Sequence, residues 1–326
     1  MNFNLLITEP ISLKAINILN KNKVKLFRPY LDLEKDKIDA EFIKKYQING
    51  IIVRGQELDK KIISDSKNLK VIIKHGVGYN NIDIETAKNL KILLLYTPCT
   101  NTESVAEFTM GLIYLCYKKY IEFNNILKIC KNWNQLKYET VELNRKTLGI
   151  IGFGKIGKRV HEITSPLNMK TIVYDPFSPS IKNQSIDDKI IIARSLNELL
   201  ENSDIVTIHC PLTMSTRHMI GEDEFKKMKK DAYLINTARG SIVDERALLK
   251  ALENYWIAGA AIDTFEIEPL DFSNKLIKLQ NLYMTPHIAA NAKESFIRTG
   301  LLTADLILKV IYNRINEIDK QYYIIR

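Results

Sequence analysis

Residues 149–160 read GIIGFGKIGKRV, and no other stretch limits the fold as much. An apolar run leads into Gly152-x-Gly154-x-x-Gly157 and a helical pattern follows. A second apolar run then ends at Asp175 in TIVYDPF, 23 residues after Gly152. Each part of such a unit has a physical task. The first glycine allows a tight turn, and the second lets the backbone approach a pyrophosphate at the helix N-terminus. The third permits close helix–strand packing, and the acid accepts hydrogen bonds from the adenosine ribose. Alone, the glycines would be a weak signal; with strand, helix and acid in place they predict a dinucleotide site in a parallel sheet. Asp175 argues for NAD over NADP, because a carboxylate repels a 2′-phosphate. The nearest base downstream is Lys182.

The rest of the chain repeats this alternation. Its 326 residues suit two domains rather than one core. Apolar runs at 3–8, 24–27, 50–53, 71–74 and 92–96 are separated by helical spacing, the pattern of a doubly wound parallel sheet. A long helical pattern from about Asn101 to Lys131 follows TPCTNTES, which supplies a proline stop and capping residues, and bridges into a second domain. The less regular stretch 132–146, with an exposed-looking Trp133, reads as an arm for a second subunit. From Thr147 strands are expected at TLGIIG, TIVYD, IVTIH, AYLINT, GAAID and LYMT, and an amphipathic helix at 292–314.

Composition excludes several classes. Hydrophobic residues make up 46% and charged residues 26%, ordinary for a soluble globular protein. The apolar run MGLIYLCY (110–117) is too short to span a bilayer, and the N-terminus lacks a signal-peptide pattern. The net charge of +9 comes from scattered lysines, which argues against nucleic acid and for a mild attraction of anionic ligands. Cys99, Cys116, Cys130 and Cys210 form no C-x-x-C pair and no Cys/His cluster. The expectation is no metal and four reduced, mostly buried thiols in a cytoplasmic protein.

Three successive strands end in chemistry-bearing residues. Arg239 follows YLINT between Ala238 and Gly240, where a guanidinium can grip a carboxylate with two parallel hydrogen bonds. Asp263, Glu266 and Glu268 follow GAAID. His287 follows LYMT, within YMTPHIAAN. Taken singly, each has a bland reading: a surface ion pair, solvated carboxylates, a core histidine. Taken together, they suggest convergence on one crevice.

GFGKIG, HCPLT (209–213), INTARGSIVDE (235–245), DTFEIEP (263–269) and TPHIAA (285–290), in that order, resemble the D-isomer-specific 2-hydroxyacid dehydrogenase family. KHGVGYNNID (74–83) and TNTESVAE (100–107) extend the resemblance over nearly the whole chain. The phosphoglycerate dehydrogenase branch is the nearest comparison. The resemblance implies a Rossmann NAD-binding domain at 100–288, inserted in a flavodoxin-like substrate domain built from 1–99 and 289–326. It also implies a homodimer, with the dimerisation arm near 120–146. Carried over by position, Arg239 binds substrate, His287 is the acid/base and also contacts substrate, and Glu268 is its dyad partner. Gly76, Val77 and Gly78 hold the substrate carboxylate, and Val77 also touches the cofactor. The cofactor set is completed by Gly152, Gly154, Lys155, Ile156, Gly157, Asp175, His209, Pro211 and Thr237, with Asp263 at the nicotinamide carboxamide. Arg54 stands where phosphate-binding members carry an arginine, but Gly55 replaces their small polar residue, and no regulatory extension is expected after the last helix.

The implied reaction is hydride transfer between NAD(H) and a D-2-hydroxy or 2-keto acid, with or without a phosphate; 3-phosphoglycerate is the first expectation. A glyoxylate, hydroxypyruvate or other 2-keto acid reductase is the alternative in the same class. A corepressor-like NAD sensor is the alternative in another class, disfavoured by the intact Arg/Glu/His set. A formate-dehydrogenase-like protein is disfavoured because that branch pairs its histidine with glutamine. Of the other histidines, His209 either lines the cofactor crevice or is structural, His161 is expected to be exposed and His218 to lie in a loop. His75 adjoins a loop whose backbone carries the inferred role.

Overall fold

The computed structural model describes residues 3–31, 38–131, 133, 139–177 and 190–325. The chain divides into two compact units, Met1–Asn101 with Asn291–Arg326, and Thr102–Ala290.

In the first unit, β1 (Asn4–Ile7), β2 (Lys25–Phe27), β3 (Gly50–Val53), β4 (Val71–Lys74) and β5 (Leu93–Tyr96) form a parallel sheet in the order β2-β1-β3-β4-β5. The register puts Leu6 beside Phe27 on one side and Ile51 on the other. Alternate residues point to opposite faces. Leu5, Ile7, Ile52, Val71 and Ile73 therefore fill one core, and Leu6, Ile51, Val53, Ile72 and Leu94 the other. Burial on both faces explains why these strands read as unbroken apolar runs. Short polar side chains start the helices. Ser12 caps Leu13–Lys21, Asp39 caps Ala40–Lys45, Asp59 caps Lys60–Ser64 and Asp83 caps Ile84–Asn89, each accepting a first-turn N–H. The helix Lys293–Ile311 packs on Leu13–Lys21. The chain then returns as a short strand, Tyr323–Ile325, antiparallel to β5. The two sheets are the expected parallel ones, and an antiparallel strand on the edge of a parallel sheet is a common addition.

In the second unit, β6 (Thr147–Ile151), β7 (Lys170–Tyr174), β8 (Ile190–Ile192), β9 (Ile205–Ile208), β10 (Tyr233–Asn236), β11 (Gly259–Ile262) and β12 (Leu282–Met284) are all parallel, in the order β8-β7-β6-β9-β10-β11-β12. The order reverses between β6 and β9. Ligands bind such sheets in the crevice at the strand carboxyl ends beside that reversal. β8 was not expected; two of its three residues are exposed, so it lacks the buried apolar signature.

Three further expectations need correction. The helical pattern from 101 to 131 is two helices, Thr102–Lys118 and Tyr120–Lys128, broken at Lys119 in a left-handed conformation (φ 50°). The first buries its apolar stripe, while no residue of the second is buried. His161 is buried, not exposed. It shares a helix face with Gly157, Val160 and Thr164, and its Nδ1 lies 2.9 Å from Thr171 Oγ1 on β7. Of the cysteines only Cys116 is buried; Cys210 is half-buried, and Cys99 and Cys130 lie exposed in connecting segments. Part of the arm expected near 120–146, residues 132 and 134–138, lies outside the described residues; Trp133 is 75% exposed. No described helix is long and apolar enough to cross a membrane.

Candidate active site

The glycine turn of the second unit is built as its sequence demands. Gly152 has φ +90°, and a Cβ there would stand 2.6 Å from Cys210 N, so the turn rests directly on the 209–210 backbone. A Cβ on Gly157 would overlap Gly152 O, the close helix–strand approach expected of the third glycine. Gly154 is different: nothing lies within 4 Å of its missing Cβ. It is the N-cap of the helix Lys155–Thr164 and has no side chain to cap the first-turn N–H groups, which leaves them for an anion to satisfy. That is a cradle for a phosphate. Asp175 Oδ2 accepts from Phe153 N at 2.8 Å and Oδ1 from Phe177 N at 3.1 Å, which leaves lone pairs on both oxygens for ribose hydroxyls. These residues fit a dinucleotide. Lys155 and Pro211 are exposed and Ile156 is half-buried. His209 Nε2 lies 2.9 Å from Thr207 Oγ1, and burial pushes its imidazole down to about 3, so it stays neutral. Thr237 is buried, with its hydroxyl 3.1 Å from Thr109 Oγ1.

Arg239, Glu268 and His287 follow β10, β11 and β12. Asn236, the last residue of β10, folds the arginine loop back on itself. Its Nδ2 donates to Arg239 O and its Oδ1 accepts from Ala238 N, both at 3.0 Å. Burial lowers the Arg239 pKa, and the Glu268 carboxylate acts in the opposite direction. Glu268 Oε2 lies 2.7 Å from His287 Nδ1, while Oε1 accepts from Phe265 N at 3.0 Å. Burial alone would raise the Glu268 pKa. The hydrogen bonds of His287 and Phe265, with the charges of His287 and Arg239, outweigh it and hold the carboxyl below its ordinary range. His287 stands in a left-handed conformation (φ 51°), with its N–H donating to Asp263 O at 2.8 Å and Thr285 O at 3.0 Å. With Nδ1 turned to Glu268, Nε2 is the ring nitrogen left for a ligand.

Asp263, expected at the nicotinamide carboxamide, is fully buried (0% exposed). It accepts from Thr285 Oγ1 at 2.6 Å, Ile288 N at 2.9 Å and Ala289 N at 2.8 Å, bracketing His287 on both sides. Asn236 and Thr285 were missed in the sequence. Their only signal was a polar residue at the carboxyl end of a buried strand.

The first unit places Arg54 after β3 and Gly76–Gly78 after β4. Glu9 accepts from the backbone N–H groups of Arg54 (3.0 Å), Gly55 and Gln56 (2.7 Å), fixing that loop. Arg54 Nη2 donates to Asn291 Oδ1 at 2.8 Å, and its guanidinium lies 5.6 Å from the Phe296 ring centroid. Gly76 has φ +140° and donates to Thr97 Oγ1 at 2.8 Å; Val77 is exposed and Gly78 half-buried. Beneath them His75 is buried, with Nε2 unpartnered. Among the described residues no group of three or more His, Cys, Asp or Glu is arranged to hold a metal ion.

Residues 110–289 match the family model "D-isomer specific 2-hydroxyacid dehydrogenase, NAD binding domain". The chain is 36% identical over 306 residues to D-3-phosphoglycerate dehydrogenase of Archaeoglobus fulgidus, covering 94% of this chain and 56% of that protein. It is 38% identical over 300 residues to glyoxylate reductase of Aeropyrum pernix, covering 86% and 89%. The crystal structure of D-lactate dehydrogenase from Aquifex aeolicus, complexed with NAD and lactic acid, matches with a TM-score of 0.86 at 29% identity, over 99% of each chain. The chain thus spans little more than half the length of the Archaeoglobus protein. With this match and this geometry, the chain belongs to the D-isomer-specific 2-hydroxyacid dehydrogenase family, and its second unit contains the NAD-binding domain.

Proposed function

We propose that the chain is an NAD-dependent dehydrogenase interconverting a D-2-hydroxy acid and its 2-keto acid. The observation that carries this is the 2.7 Å pair of His287 Nδ1 and Glu268 Oε2, next to the half-buried Arg239. The turn Gly152–Gly157 and Asp175 would hold NAD(H), which when bound would supply or accept the hydride at C2. The planar fork of Arg239 takes a carboxylate oxygen and the C2 oxygen together. In reduction His287 Nε2 gives its proton to the C2 oxygen, and in oxidation it takes the proton back. Glu268 fixes the tautomer by accepting from Nδ1, and its negative charge faces the ring while the ring holds both protons. Asp263 and Thr285 hold the histidine loop still. In the first unit, Arg54 and the backbone of Gly76, Val77 and Gly78 are the proposed substrate contacts. The exposed apolar side chains Ile121, Leu127 and Ile129 support a homodimer built on the segment from Tyr120 onward.

As substrate we favour the 3-phosphoglycerate/phosphohydroxypyruvate pair, on the position of Arg54 and the likeness to the Archaeoglobus enzyme. Glyoxylate or hydroxypyruvate is the second reading. Arg54 already donates to Asn291, and the Aeropyrum glyoxylate reductase is equally similar. NADH consumption with glyoxylate, pyruvate, hydroxypyruvate and phosphohydroxypyruvate decides between them. The first reading expects phosphohydroxypyruvate to give the highest kcat/KM. Equal or better turnover of hydroxypyruvate establishes the second. NADH binding without turnover of any member would leave an NAD-sensing binding protein.

A further inference from the structure

We propose that Glu245 and Glu266 are positioning residues, a reciprocal clamp that fixes the Arg239 loop against the Glu268 loop. This deepens the catalytic reading above and rests on it. Glu266 lies two residues before Glu268, and Glu245 six residues after Arg239. Glu245 N–H donates to Glu266 Oε1 at 2.9 Å, and Glu266 N–H donates to Glu245 Oε1 at 2.6 Å. Each acid thus caps the backbone of the other's loop. A third loop is stitched to the same point: His218 Nε2 lies 3.3 Å from Glu266 Oε1, and His218 N–H donates to Ser241 O at 2.8 Å. Asn274 Nδ2 approaches Glu245 Oε2 at 3.4 Å.

The clamp leaves no slack. A Cβ on Gly240, the residue after Arg239, would overlap the Phe265 carbonyl. Phe265 N–H is also the donor that holds Glu268 Oε1 at 3.0 Å. Contact therefore runs from Arg239 through Gly240 and Phe265 to the carboxylate that orients His287. Helix capping accounts for only half of the pair: Asp244 accepts from Arg246 N and Ala247 N and leaves Glu245 N–H to Glu266, but the return bond from Glu266 N–H to Glu245 caps no helix. Nor is Glu266 a solvated surface acid: its side chain is 25% exposed.

The test uses the full chain with NADH and whichever of glyoxylate, hydroxypyruvate or phosphohydroxypyruvate it reduces fastest. A shift of the order of an ångström between catalytic groups can cost about a hundredfold. Glu266→Ala is therefore expected to lower kcat/KM by about 10- to 100-fold, with the NADH dissociation constant unchanged. Glu268→Gln removes the carboxylate charge that faces the His287 ring, so it should move the alkaline limb of kcat/KM for reduction to lower pH. Glu266→Ala should move that limb the same way, which a loss of stability alone would not produce. Glu266→Gln retains an acceptor oxygen for Glu245 N–H and should restore most of the activity. The double variant Glu266→Ala/Glu268→Gln should lose less than the two single losses combined, since both act in part through one carboxylate. Glu245→Ala leaves the Asp244 cap in place and serves as the second variant should Glu266→Ala fail to fold; the same losses are expected. Wild-type kinetics and pH profile in either alanine variant, beside an inactive His287→Ala, would overturn the clamp alone. Full activity in His287→Ala would overturn the catalytic reading and the clamp with it.

Discussion

Arg239 is half-buried and its guanidinium must hold two oxygens at once, so charge alone is not enough. Arg239→Lys keeps the charge and loses the fork. The expected outcome is a raised KM for the keto acid and a lowered kcat, with NADH affinity unchanged; steady-state kinetics and NADH fluorescence titration check it. Near-normal kinetics would reduce the arginine to an ion-pair partner. Asp263 calls for a different reading. It touches no exposed surface, yet three donors around His287 converge on it. Asp263→Ala would leave those buried donors unpaired, at about 1–3 kcal/mol each, and free the strained histidine loop. We expect a kcat loss approaching that of His287→Ala together with a lower melting temperature. A variant that lost only NADH affinity would instead return Asp263 to the cofactor.

At the level of elements, what was legible had a local physical cause. The glycine turn, β3, β4, β6 and β9–β11 were readable because buried parallel strands are continuous apolar runs and the turn needs specific glycines. Asp175 was readable for the same reason, and it carries a prediction. Asp175→Ala should relax the preference for NADH over NADPH, measured as the ratio of kcat/KM values; equal values in the wild type would refute the assignment. The break at Lys119 was not legible. It has no glycine or proline, and only the tertiary partner of Thr102–Lys118 shows where the apolar stripe stops being used. His161 was misread because its burial depends on which helix face meets β7, and β8 because an exposed edge strand carries no periodic signal. In the site, Arg239, Glu268 and His287 were visible as a motif. The side-chain bonds of Asn236 stay within its own loop, but those of the Asp263 carboxylate and those between Glu245 and Glu266 join residues 21 to 26 positions apart, in loops that only the sheet brings together.

For the whole molecule, histidines whose pKa is pushed down by burial tie stability to pH, His209 as well as His75. His75 is 5% exposed, and burial, with the nearby Arg54 charge, pushes its imidazole down to about 4. In the unfolded chain the same group titrates near its ordinary 6.5. Above that value both states hold it neutral and it contributes no pH dependence. As pH falls below 6.5 the unfolded chain binds a proton that the folded chain refuses. Folding stability then declines by about 1.4 kcal/mol per pH unit. The decline from this group ends near pH 4, where the folded form is protonated as well. At pH 5 the accumulated loss is about 2 kcal/mol, a large share of a typical stability of roughly 5–15 kcal/mol. His75→Phe removes the titration and keeps a ring against Phe296, whose centroid lies 5.6 Å from that of the imidazole. Urea unfolding of both proteins at pH 7.5 and 5.0 isolates the effect. The wild type should lose about 2 kcal/mol more than the variant between the two conditions. Equal losses would mean that His75 takes up a proton in the folded state as readily as in water, and that its buried, unpartnered nitrogen is not what makes the first unit sensitive to acid.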